Sequence, residues 1–91
     1  MAASYRFVVT GQVQGVFFRQ STALQARALA LAGWVRNRED GAVEGIVSGE
    51  PAAVAQLRRW LARGPATARV ENLEWSEGAD EPVGGGFIIQ R

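Results

Sequence analysis

Asp40-Gly41 stands between two β-prone runs, residues 34–39 and 42–47, near the middle of a 91-residue chain. An Asp-Gly pair flanked in this way is a strong hairpin signal, because both residues tolerate the backbone that tight turns require. The hairpin fixes an antiparallel pair at the centre of the sequence and separates two helix-forming stretches. Before it, residues 20–32 are rich in alanine, leucine, glutamine and arginine, all good helix formers apart from the context they meet. After it, Gly49-Glu50-Pro51 opens a second helix, with proline in its first turn, and Gly64-Pro65 stops it.

Strand candidates complete the order. In residues 5–10, Tyr5, Phe7 and Val9 alternate onto one face. Residues 69–77 alternate imperfectly, residues 81–86 read as a loop, and residues 87–89 make a short last strand. The order β-α-β-β-α-β(-β) predicts an α+β ferredoxin-like sandwich, two helices on one face of a mainly antiparallel sheet. The length predicts one domain over residues 1–91. In the first helix, positions 22, 26, 29, 30 and 33 form one stripe and Leu24, Ala28 and Leu31 another. Periodicity does not choose between them, and Gly33 is the expected C-terminal cap. Val54, Leu57 and Leu61, with Trp60 alongside, form the apolar stripe of the second.

Composition narrows the chemistry. The chain has no histidine, cysteine or lysine, and all ten of its basic residues are arginine. Thiolate, imidazole and Schiff-base chemistry are therefore excluded, and so is a Walker-type lysine. A net charge of +1 argues against a dedicated polyanion binder. No metal site is expected, since only carboxylates remain as ligands and they do not cluster. No signal peptide and no membrane-length apolar run stand out, so a cytoplasmic protein is expected. Small size and ordinary surface polarity predict a monomer.

The segment Gly11-Gln12-Val13-Gln14-Gly15-Val16-Phe17-Phe18-Arg19 joins the first strand to the first helix. Gly11 and Gly15 accept backbone conformations that a Cβ resists. Successive N–H groups then form an anion-binding concavity, and the helix start adds unpaired N–H groups. Arg19 supplies a permanently charged planar fork suited to phosphate oxygens. Asn37 sits in a β-prone run where asparagine is disfavoured. In a split βαβ unit it lies on the same sheet end as the loop, two strand spacings or about 10 Å away. Its carboxamide is placed to meet a water beside a bound phosphate.

Two motifs make the chain resemble the acylphosphatase family. One is Gly11-x-Val13-Gln14-Gly15-Val16-x-Phe18-Arg19. The other is Gly33-Trp34-Val35-Arg36-Asn37-x-x-x-Gly41-x-Val43, followed by Gly45 and Gly49. The likeness continues through Trp60-Leu61, Gly64-Pro65 and Phe87-x-Ile89. It departs at Ala30, where a glycine is expected, and at Gln20-Ser21. The resemblance implies hydrolysis of acyl phosphates to carboxylate and orthophosphate without a metal or other cofactor. It also implies that Arg19 and the backbone amides of Gln14, Gly15, Val16, Phe17, Phe18 and Arg19 hold the phosphoryl group. Asn37 orients the attacking water by the same implication.

The residue inventory is consistent with that chemistry. A carboxylate leaves with a conjugate-acid pKa of about 4, so it needs no general acid. Asn37 takes no proton at neutral pH, so the substrate's own phosphate oxygen is the expected acceptor, with Glu39 and Asp40 the alternative. Trp34, Trp60, Trp75, Phe17 and Phe18 are expected to pack in the core or on the sheet. Residues 42–47 carry no aromatic, which argues against an RNA-recognition module and predicts no nucleic-acid partner. Arg58, Arg59 and Arg63 read as a solvated helix face. The remaining competitor is an acylphosphatase-like accessory or binding module without turnover. Nothing in the sequence marks a pocket for the acyl group.

Overall fold

The computed structural model describes residues 3–78 and 85–90. The elements are β1 (Ala3–Gln12), α1 (Phe18–Ala28), β2 (Ala32–Asn37), β3 (Val43–Gly49), α2 (Pro51–Leu61), β4 (Arg69–Glu77) and β5 (Phe87–Ile89). They form one five-stranded sheet in the order β4-β1-β3-β2-β5. β3 is antiparallel to both β1 and β2, β4 is antiparallel to β1, and β5 joins β2 in parallel. This is the expected α+β ferredoxin-like sandwich. β1 and β2 flank β3 and run in the same direction, so their C-terminal ends meet at one end of the sheet.

The core lies between the sheet and the helices. Phe7 and Val9 of β1, Val35 of β2, and Val43 and Val47 of β3 point into it and are buried. Their alternation with Val8, Glu44 and Ile46 reflects the two-residue period of a strand. Helix α1 contributes Phe18, Thr22, Ala23 and Ala26; helix α2 contributes Val54, Leu57 and Leu61. The stripe through positions 22 and 26 is therefore the inner one, and Leu24 stays 65% exposed. The buried Thr22 hydroxyl is satisfied by donating to the Phe18 carbonyl at 2.8 Å.

Three local expectations change. Helix α1 begins at Phe18 and ends at Ala28, with Leu29 as its cap. Ala30 takes a left-handed backbone (φ 57°), and the Leu31 and Ala30 N–H groups donate to the Ala26 and Arg27 carbonyls. That is a Schellman closure with alanine in the position glycine usually fills. Gly33 is consequently not the cap. It lies in β2, where a Cβ would fall 1.9 Å from the Ile46 carbonyl oxygen. The central hairpin is wider than a two-residue turn, because Asn37 and Val43 are its last paired residues. Asp40 still organises it, accepting the Ala42 N–H at 3.1 Å. The expected loop at 81–86 lies outside the described residues up to position 84.

Candidate active site

The strand-to-helix loop follows a break in β1. Pairing between β1 and β4 shifts register between Thr10 and Gly11, and Gly11 has φ 122°. A Cβ on Gly11 would fall 2.2 Å from the Arg69 carbonyl oxygen, so this bulge requires glycine. Beyond it, Gly15 (φ 72°) and Phe17 (φ 63°) are both left-handed. Phe17 is the N-cap residue of α1 and makes no side-chain cap. The first N–H groups of the helix therefore start from a sharply turned loop and lack intrahelical partners.

Two side-chain contacts fix this loop, one made by a residue of the loop and one by a residue outside it. The Gln14 amide nitrogen donates to the Arg38 carbonyl at 2.7 Å and to the Ala42 carbonyl at 2.9 Å. It thereby ties the loop to the hairpin that carries Asn37. The Thr67 hydroxyl donates to the Val16 carbonyl at 2.7 Å. In a trans peptide the next N–H points opposite to that carbonyl, so this bond turns the Phe17 N–H away from Thr67. Neither contact was legible in the sequence. The donor and its acceptors are 24 and 28 residues apart for Gln14, and 51 apart for Thr67.

The loop, the start of α1 and the end of β2 enclose a cavity of about 190 Å³, lined by Val13, Gly15, Phe17, Phe18, Arg19, Gln20 and Asn37. Of the expected site residues, Gly15, Phe17, Phe18, Arg19 and Asn37 thus come together. Gln14 and Val16 flank the cavity within the same loop and do not line it. Val13 and Gln20 also line it, although neither was among the expected site residues. Arg19 is half-buried, and among the described residues its guanidinium makes only a long contact, 3.5 Å, to the Gln90 carbonyl. Among the described residues no carboxylate pairs with it. The Asn37 Oδ1 is buried and has no hydrogen-bond partner among the described residues. A polar atom in that condition costs free energy unless a ligand or water satisfies it.

The other candidates separate from this cavity. Asp40 pairs with Arg38 at 2.9 Å, and Glu39 is exposed. Both lie with Asn37 along a second depression that also holds Arg36, Arg38 and Glu44. There Glu44 is buried and receives Arg6 at 2.9 Å and Arg36 at 2.7 Å. Burial alone pushes the Glu44 carboxyl up. Hydrogen bonds from Arg36 and Arg6, together with their charges, outweigh it and hold the group below the ordinary carboxylate range. Trp75 stacks on Tyr5 at 5.1 Å, and Trp60 meets Phe18 at 5.7 Å, so these aromatics pack as expected. Arg58 lies over Trp75 at 5.2 Å, which gives one residue of the expected solvated face a packing role. Phe17 departs from expectation: its backbone is left-handed and the residue is 67% exposed. No group of three or more histidine, cysteine or acidic residues stands together among the described residues.

Comparison with known proteins agrees with this geometry. A family model described as Acylphosphatase matches residues 5–89. An acylphosphatase from Rubrobacter xylanophilus is 52% identical over 81 residues, which cover 89% of this chain and 71% of that protein. The structure of an acylphosphatase from Coxiella burnetii superposes with a TM-score of 0.91 at 38% identity, covering 98% of this chain and 93% of the other. The acylphosphatase from Bacillus subtilis gives 0.92 at 33% identity, with both chains covered completely. A loop, an arginine and an asparagine at one sheet end, on a fold shared across its length with these enzymes, place the chain in the acylphosphatase family.

Proposed function

We propose that the 190 Å³ cavity is the active site and that its residues divide the work of the family's reaction. The protein is an acyl phosphate hydrolase, cleaving the carboxyl–phosphate bond to carboxylate and orthophosphate. In the proposed arrangement the phosphoryl group sits in the loop. The backbone N–H groups of Gln14, Gly15, Val16, Phe17, Phe18 and Arg19 and the Arg19 guanidinium neutralise its oxygens. Asn37 holds the attacking water by its carboxamide, in line with the leaving carboxylate. Phosphoryl transfer asks a protein mainly for positioning and charge stabilisation, which these groups supply.

The observation that carries this reading is the convergence of Arg19 and Asn37 on one small cavity. The water's proton passes to a phosphate oxygen of the substrate. Glu39 and Asp40 do not line the cavity, which supports that route over a carboxylate base. The reaction uses no metal. We further propose a cytoplasmic, monomeric protein of one domain spanning residues 1–91, with small acyl phosphates and no nucleic acid as its partners. With no cysteine the chain has no disulfide to form in any compartment, and no helix among the described residues is long and apolar enough to cross a membrane. Turnover in ¹⁸O-labelled water with a chelator present tests the chemistry. Label in the orthophosphate and undiminished rate are expected; label in the carboxylate, or loss of rate with chelator, would refute it.

A further inference from the structure

Thr67 lies in a segment that backs the proposed phosphate loop at both ends and in the middle. It is an exposed residue in the turn between α2 and β4, where the Ala68 N–H donates to the Pro65 carbonyl at 3.0 Å. On one side of that turn, Gly64 packs so closely on Phe18 that a Cβ would fall 2.7 Å from its ring. On the other, the Arg69 carbonyl fills the space beside Gly11. Between them the Thr67 hydroxyl donates to the Val16 carbonyl at 2.7 Å. The donor is thus held on a fixed frame.

What the bond holds is the peptide between Val16 and Phe17. Phe17 has φ 63° and ψ 22°, close to the third residue of a type II turn, a place that glycine or asparagine normally fills. A Cβ disfavours that backbone about tenfold in population. Rotating this one peptide plane by half a turn carries φ of Phe17 to about −117°, on the negative side that residues with a Cβ prefer. The rotation also exchanges the two faces of the peptide. The Val16 carbonyl would then stand where the Phe17 N–H now stands, a donor that meets no backbone carbonyl among the described residues. A neutral hydrogen bond is worth about fivefold in population, the same order as the strain it opposes. The Thr67 hydroxyl therefore decides which way this peptide faces.

We infer that Thr67 is a positioning residue for the acyl phosphate reaction: its hydrogen bond to the Val16 carbonyl keeps the Phe17 N–H turned toward the phosphoryl group. The inference rests on the proposed seating of that group in the loop. With the peptide reversed, a carbonyl oxygen faces the anion in place of a donor, and the site does not bind. Only the unreversed fraction takes substrate, so losing the hydroxyl raises KM and the inhibition constant of inorganic phosphate by one common factor. Once substrate is seated, the phosphoryl oxygens hold the peptide and kcat is kept. Thr67 itself touches no reacting atom.

The test measures acetyl phosphate hydrolysis, and its inhibition by inorganic phosphate, in Thr67→Val, Thr67→Ser, Phe17→Gly and the double variant Phe17→Gly with Thr67→Val. Thr67 is exposed, so its replacement leaves the fold in place. For Thr67→Val, KM and the phosphate inhibition constant are expected to rise together about fivefold, with kcat within about twofold of the parent. Thr67→Ser keeps the hydroxyl and should return both constants to parent values. Glycine is at ease in either orientation, so adding Thr67→Val to Phe17→Gly should change both constants by less than about twofold. Loosening of the loop as a whole would instead lower kcat, and would act at least as strongly in the glycine background. Either of those results overturns the inference, as do unchanged constants in Thr67→Val. Inorganic phosphate that fails to inhibit the parent chain would overturn the phosphate placement itself.

Discussion

Gln14 illustrates how one side chain acts at a distance from the chemistry. Its two donated bonds join the proposed phosphate loop to the backbone beside Asn37. The Ala42 carbonyl also accepts the Arg38 N–H, and the Arg38 carbonyl the Gly41 N–H, so both acceptors remain paired if Gln14 is lost. Gln14→Met should therefore cost only about 1 kcal/mol of stability. It should lower kcat about tenfold, because a small misplacement of water against phosphate is expensive in a positioning reaction. Steady-state kinetics together with thermal melting check this; equal losses in kcat and in inorganic phosphate affinity would contradict it. For Arg19→Ala we expect at least a 100-fold drop (an order-of-magnitude figure for losing two charge-assisted bonds) in both phosphate affinity and turnover. Arg19→Lys should recover little, since one ammonium cannot reproduce a fork. Asn37 stood out in the sequence because asparagine is disfavoured in a β-prone run, and Arg19 because it closes a glycine-containing loop with a fixed charge. The Gln14 and Thr67 braces were not, because polar side chains announce no partner until the fold brings it near.

At the scale of elements, α1 shows where local pattern fails. Its inner stripe was one of two visible, and packing against the sheet chose the one through Thr22 and Ala26. Its end was hidden because alanine normally extends a helix, whereas Ala30 here closes one with φ 57°. Relief of that strain makes Ala30→Gly stabilising by about 0.5–1 kcal/mol. For a domain of this size the gain amounts to a melting temperature higher by about 4 °C, with activity unchanged. A lowered melting temperature would contradict the assignment. The strands were better marked. β4 and β5 match their expected ranges, since Gly64-Pro65 and the glycines before Phe87 punctuate them. The hairpin was found by Asp40-Gly41 but its width was not, because the Gln14 side chain occupies the carbonyls of Arg38 and Ala42 in a wider loop.

The whole molecule couples its charge network to its stability. Glu44 is buried on the sheet face away from the helices, while Arg6 and Arg36 remain about half exposed. Its folded carboxyl lies below the ordinary carboxylate range, so the unfolded chain takes up that proton more readily. The stability it contributes is complete above the unfolded value and is lost as pH falls through the folded one. Melting curves between about pH 6 and about pH 3 should drop less steeply in Glu44→Gln than in the parent. At neutral pH that variant should be about 1–2 kcal/mol less stable, a modest loss because its arginine partners are partly solvated. Parallel pH profiles would contradict the assignment. The sheet also unites the proposed active site, since the parallel run of β1 and β2 around β3 brings residues 19 and 37 to one cavity. The central claim is that Asn37 positions the water while the loop and Arg19 hold the phosphate. Its most direct test is Asn37→Ala, measured both for inorganic phosphate binding and for orthophosphate release from an acyl phosphate. Binding within about twofold of the parent with turnover reduced about 100-fold or more is the predicted result. Turnover retained at most of the parent rate would contradict it.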